Sequence, residues 1–279
     1  MNRSFLNIAA YRFVALPDAS ALREQLFREA EQAGLKGSVL LAEEGINFCL
    51  AGRPEPVADW LAALRGDPRF SDLAVKKSWS AVQPFKRLKF KLKPEIIRMN
   101  QPAIRPAAGR APAVAASTLA RWITQGHCDE GRQLKLLDTR NDFEVDVGAF
   151  DGAVDWRLQR FSDFPAALAA HRDSLAGHTV VSYCTGGIRC EKATLVMQQL
   201  GLPHTWQLDG GILKYFEDTA GLAAGWHGQC FVFDQRESLT TALATSLTTP
   251  LTTPLATRSA APVATRLATP LATLRAPAA

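Results

Sequence analysis

The sequence predicts two folded domains of different class: an α+β domain at the N-terminus, then an α/β domain with a parallel sheet, ending in a disordered C-terminal tail. Three observations predict this division. A chain of 279 residues exceeds the usual single-domain size. Its early elements are ordered strand, helix, strand, strand, helix, strand, whereas from residue 134 short apolar strands alternate one by one with helices. Residues 240–279 contain eleven Thr, eleven Ala, seven Leu and five Pro, with no acidic and no aromatic side chain. The 47% hydrophobic and 21% charged content excludes a collagen-like, fully disordered or membrane-spanning chain. Asn7, Tyr11 and Arg12 break the N-terminal apolar run, and no run approaches the ~18 residues of a membrane span. A cytoplasmic protein with no membrane partner is therefore expected. The five cysteines (Cys49, Cys128, Cys184, Cys190, Cys230) are scattered and odd in number, which fits reduced thiols rather than a disulfide scaffold.

Residues 5–16 (FLNIAAYRFVAL) read as a strand closed by Pro17-Asp18. Leu22, Leu26, Ala30 and Ala33 then repeat at helical spacing, with Gly34 placed to end the helix. Residues 38–51 read as two strands around the turn Glu43-Glu44-Gly45, and Val57, Trp60, Leu61 and Leu64 mark a second helix before Gly66. A last strand region starts near Leu73. This is the order of a ferredoxin-like split motif, assigned to residues 1–98. Residues 99–116, rich in Pro and Ala, read as a semi-rigid linker. In the second domain, residues 117–236, Ser117 is placed to cap a helix bearing Leu119, Trp122 and Ile123 and ended by Gly126. LKLLD (134–138), VVSYC (180–184) and HTWQL (204–208) are buried strands, the last running into Asp209-Gly210-Gly211. Residues 237–279 form the tail, too proline-broken for a helix.

The sharpest chemical feature is Cys184-Thr-Gly-Gly-Ile-Arg189-Cys190, where a buried strand gives way to a helix. In open α/β sheets ligands bind beyond the carboxyl ends of the strands, and a helix N-terminus there offers free N–H groups to an anion. Gly186 and Gly187 let the backbone curl, and a thiol held among Thr185, Gly186, Gly187, Ile188 and Arg189 has its thiolate favoured, which makes Cys184 the candidate nucleophile. Cys190, inside the first helical turns, reads better as a packing residue than as a resolving thiol. Asp138 and Arg140, at the end of an earlier strand, read as an ion pair that supports the site rather than reacting in it. The five histidines show no metal-ligand spacing, and no GxGxxG, P-loop or haem motif occurs, so no metal site and no cofactor are expected from the residues.

Charge is concentrated in one segment. Residues 76–98 hold Lys76, Lys77, Lys86, Arg87, Lys89, Lys91, Lys93 and Arg98 against the single acid Glu95. A strand through Lys89, Lys91 and Lys93 would bury Phe90 and Leu92 and align the lysines on its open face. Lys86, Arg87, Lys89, Lys91 and Lys93 are therefore the candidates for a polyanion, while a solvated or edge-protecting face is the plain alternative. Trp79 and Phe85 are close enough to stack on a base but read first as core.

The cysteine loop resembles that of the rhodanese sulfurtransferases, as do Asp138-Thr-Arg140-Asn-Asp-Phe-Glu144 and Leu208-Asp-Gly-Gly211, so the second domain is expected to be rhodanese-like. The related phosphatases place five residues between cysteine and arginine; here there are four, which fits sulfur rather than phosphate chemistry. Taken in order, EEGIN (43–47), FKRLKFKLKPEII (85–97), CTGGIRCEKA (184–193) and CFVFDQR (230–236) resemble the rhodanese-domain tRNA uridine hydroxylases. That resemblance implies oxygen-dependent 5-hydroxylation of the wobble uridine, with tRNA as partner, molecular oxygen as co-substrate, a sulfur donor protein, and Cys184 carried as a persulfide. The loop alone also fits a thiosulfate or persulfide sulfurtransferase without hydroxylase activity, and the basic domain alone fits a non-catalytic RNA-binding module.

Overall fold

The computed structural model describes residues 4–243. The first sheet comprises β1 (Phe5–Phe13), β2 (Lys36–Ala42), β3 (Gly45–Gly52), β4 (Lys76–Ser80) and β5 (Leu88–Leu92), in the order β4-β1-β3-β2-β5. All neighbours are antiparallel except the pair β2–β5. The last strand region of the split motif is thus two strands, one at each edge. Helices α1 (Ala19–Gln32) and α2 (Pro54–Arg65) cover one face of this sheet. Alternation along β1 sends Leu6, Ile8 and Ala10 into that core, where Leu22, Leu26, Trp60 and Leu64 meet them. The turn between β2 and β3 requires Gly45, at φ +147°, because a Cβ there would stand 1.9 Å from the carbonyl of Arg12.

The second sheet is parallel. It comprises β6 (Ala113–Val114), β7 (Leu134–Asp138), β9 (Thr179–Tyr183) and β10 (Thr205–Leu208), in the order β6-β10-β9-β7. The antiparallel pair β8 (Gly148–Phe150) with β11 (Trp226–Gly228) is separate from it, as is β12 (Cys230–Phe231) with β13 (Ser238–Leu239). Helices α3 (Ala116–Gln125) and α7 (Gly211–Asp218) share one apolar cluster with the sheet. Helices α5 (Phe164–His171) and α6 (Ile188–Gln199) share another. The short α4 (Asp142–Val145) follows β7.

Several expectations need correction. The Pro/Ala stretch is packed rather than a spacer: Met99, Ile104 and Ala111 are buried, and Ala113–Val114 is the edge strand paired with β10. Ser117 caps nothing; α3 begins at Ala116 without a side-chain cap. Phe90 is buried under Phe27 of α1, but Leu92 at the end of the same edge strand remains 45% exposed. Ser238 and Leu239, counted with the tail by composition, pair with Cys230–Phe231, and Leu239 is buried. From residue 244 on, the expected disorder falls outside the described residues. No helix among the described residues is long and apolar enough to cross a membrane.

Candidate active site

Cys184 stands at the end of β9 and is 1% exposed. The backbone turns at Gly187, φ +96°, and its N–H donates to Cys184 Sγ at 3.1 Å. The glycine turn before α7 closes against the loop from behind: Ile212 N–H donates to the Cys184 carbonyl at 3.0 Å and Leu213 N–H to that of Thr185 at 3.1 Å. A Cβ on Gly211 would lie 2.4 Å from the Cys184 carbonyl oxygen, so only glycine permits this approach.

Arg189 does not reach into open space. Its guanidinium grips Glu144 with two hydrogen bonds of 2.5 and 2.7 Å, both side chains being buried, and Thr185 Oγ1 donates to the same carboxylate at 3.3 Å. Burial would push Glu144 up, but the Arg189 charge and hydrogen bonds hold it below the usual carboxylate range. Asp138 and Arg140 form a second, fully buried pair: Arg140 binds Asp138 through Nε at 2.9 Å and Nη2 at 2.6 Å, and donates onward to the carbonyls of Gly148 and Glu144. Through the Glu144 carbonyl the pair holds the segment that presents Glu144.

Burial alone would also push the Cys184 thiol up. A hydrogen bond from Cys190, the Arg189 charge, and the N–H groups of Arg189 and Gly187 outweigh it and hold the thiol well below its ordinary value. The buried Cys190 moves the other way, raised by burial and by its charged neighbour Cys184. The loop therefore favours one thiolate, with backbone donors directed at sulfur.

Cys184, Thr185, Gly186, Ile188 and Arg189 open onto a cavity of about 660 Å³ whose other wall is the first domain. That wall is the sheet face opposite the helices: Asn7, Ala9 and Tyr11 of β1, Asn47 and Cys49 of β3, and Lys76 and Ser78 of β4. The domains are joined around the cavity by buried polar contacts. Tyr11 donates to Glu191 of α6 at 3.1 Å. Lys192, 1% exposed, binds Glu44 at 2.9 Å and Glu95 at 2.7 Å. The EEGIN and CTGGIRCEKA segments thus meet through Glu44 and Lys192. The CFVFDQR segment returns to the first domain: Arg236, paired with Asp234 at 2.6 Å, donates to Ser78 Oγ at 2.7 Å.

Lys86, Arg87, Lys89, Lys91 and Lys93 are all exposed and none lines the cavity. Lys76, Lys77, Phe85 and Arg98, which lie on either side of those five in the chain, do line it. Trp79 packs against the core of the first domain. Sequence reasoning missed Tyr11, Asn7 and Cys49, and counted Lys76 only as part of the charge cluster. The signal for these four is strand register, since the pairing of β1 with β3 and β4 is what gathers them. Among the described residues no group of three His, Cys, Asp or Glu side chains is arranged to hold a metal ion.

Residues 5–96 match the UPF0176 acylphosphatase like domain, and residues 118–218 match the Rhodanese-like domain. A tRNA uridine(34) hydroxylase of Variovorax paradoxus (strain S110) is 60% identical over 242 residues, covering 87% of this chain and 91% of that protein. The tRNA uridine(34) hydroxylase of Bordetella avium (strain 197N) is 59% identical over 240 residues, covering 86% of this chain and 98% of that protein. That of Delftia acidovorans (strain DSM 14801 / SPH-1) is 58% identical over 239 residues, covering 86% and 90%. The EEGIN and CTGGIRCEKA segments that resembled this family meet in the structure at one domain junction, and the chain belongs to the tRNA uridine(34) hydroxylase family.

Proposed function

We infer that this protein is an enzyme that hydroxylates the wobble uridine of tRNA at C5, an oxidoreductase acting on RNA with molecular oxygen as co-substrate. The observation that carries the reading is a favoured thiolate opening onto a cavity whose far wall belongs to a basic domain. A tRNA anticodon loop offers an unpaired base that can leave its stack and enter such a cavity while phosphates remain outside. In this reading Cys184 is the reactive residue and takes a sulfane sulfur from a donor protein. The N–H groups of residues 185–189 hold the resulting persulfide anion. Glu144 keeps Arg189 in place, so the arginine supplies positive charge without leaving the loop wall. Asp138 and Arg140 hold the Glu144 segment. Lys86, Arg87, Lys89, Lys91 and Lys93 contact phosphates along the exposed sheet edge, and the cytoplasm is where this tRNA would be met.

The test is nucleoside mass spectrometry of tRNA from a deletion strain complemented with wild type or with Cys184→Ser. Wild type restores 5-hydroxyuridine and the serine variant does not. Restoration by neither, with Cys184-dependent thiocyanate formed from thiosulfate and cyanide, would make the protein a sulfurtransferase instead. Restoration by both would remove Cys184 from the reaction.

A further inference from the structure

The floor of the cavity is set by register. Ala9 of β1 pairs with Cys49 on one side and with Lys76 on the other, so a row Cys49–Ala9–Lys76 crosses three strands. The middle side chain is a methyl group, which leaves the row hollow at its centre. Tyr11, two residues along β1, stands on the same face. Its hydroxyl is held by Glu191 and stands where a Cβ on Gly187 would come within 2.9 Å, so the ring is wedged against the cysteine loop. The Lys76 ammonium lies 5.6 Å from the centre of that ring.

Lys76 differs from the other cations around it. Lys192 holds two carboxylates, Arg189 holds Glu144, and Arg236 holds Asp234. Among the described residues Lys76 makes no ion pair, although it is half-buried, whereas Arg98 and Arg160 on the cavity lining are exposed. Aromatic surface is present too, from half-buried Phe85 and from Phe233, which is 60% exposed. A charged donor and flat apolar walls match a flat base that presents a carbonyl oxygen to the ammonium, as uracil does at C4. Cytosine carries an exocyclic amino group at that position, whose N–H donors would face the ammonium.

We propose that Lys76 binds the C4 carbonyl oxygen of the target base inside the cavity, and is thereby the residue that selects uracil over cytosine and places it beside Cys184. This rests on the reading of the cavity as the site for a tRNA base. Lys76 is a base contact in this assignment, distinct from the exposed lysines that meet phosphates.

The experiment compares wild type, Lys76→Met and Lys76→Arg. Affinity is measured by fluorescence anisotropy for anticodon stem-loops that differ only in U or C at the wobble position. Wild type prefers U by about tenfold or more, because facing donors leave buried groups unsatisfied. Lys76→Met brings the two within about twofold, and Lys76→Arg restores the preference. In turnover assays Lys76→Met lowers kcat by roughly 100-fold, the scale of removing one preorganised donor, while KM for tRNA rises by no more than the several-fold loss of affinity for the U stem-loop. Melting temperature serves as the control for folding. A wild type without U-over-C preference overturns the assignment, as does a Lys76→Met variant that loses affinity equally for both stem-loops. A wild type that prefers U but forms no 5-hydroxyuridine refutes the hydroxylation reading while leaving the Lys76 assignment supported.

Discussion

Two thiols line the same cavity and are set in opposite directions. Cys184 in the rhodanese loop is held well below its ordinary value, whereas burial pushes Cys49, on the floor supplied by the first domain, up to about 11. Burial acts on both, so burial does not distinguish them. Cys184 receives an N–H hydrogen bond from Gly187, a thiol hydrogen bond from Cys190 and the charge of Arg189. Cys49 sits on a strand whose backbone donors are committed to the sheet, and the Arg236 and Lys76 charges only partly offset its burial and the nearby Asp234. A thiolate is favoured where the backbone turns its donors inward, and a sheet face cannot do so.

The comparison breaks most completely at Cys184 itself: Cys184→Ser is expected to abolish 5-hydroxyuridine in complemented cells while leaving the melting temperature within a few degrees. Loss of the Arg189 clamp is next. Glu144→Ala leaves a buried guanidinium without its carboxylate and should cost about 3–5 kcal/mol in urea denaturation. A loss below about 1 kcal/mol would mean that water readily replaces the carboxylate. The charged edge is distinct from both thiols, and Lys89→Glu with Lys91→Glu should weaken tRNA binding roughly tenfold at moderate salt and flatten its salt dependence. Persulfidation of Cys184 should be unaffected, since neither Lys89 nor Lys91 lines the cavity.

The smallest expected effect sharpens the comparison directly. Iodoacetamide labelling followed across pH and read peptide by peptide should place the Cys184 midpoint below the ~8.5 of an ordinary thiol, with Cys49 labelled only at much higher pH. Cys190→Ala should move the Cys184 midpoint upward, because it removes a donor to the thiolate. The linked stability follows from the depressed folded value: it is fully present above the unfolded thiol range and is lost as pH falls through the folded one. Coincident midpoints for the two cysteines would remove the electrostatic distinction.

Much of this could be read from the chain because it is local. LKLLD is β7 as written, Gly126 ends α3 at φ +76°, and the cysteine loop lies between a strand and a helix. Other features were misread because composition is a poor guide to packing. The Pro/Ala stretch contributes β6 because Ala113 and Val114 meet an open edge of β10, a partner some ninety residues away in the chain. Leu92 stays exposed because an edge strand has no second layer to cover its end.

By itself the sequence determined the α+β and α/β classes, the cysteine loop with its glycine turn, and the basic segment, since each depends on neighbours within a few residues. Only the tertiary structure decided that Glu144 neutralises Arg189, that Glu44 and Lys192 lock the domains together, and that Lys76 and Tyr11 face Cys184. Glu44 and Lys192 alone are 148 positions apart. These contacts depend on strand register and on the docking of two sheets, and a shift of one residue in β4 would turn Lys76 to the opposite face.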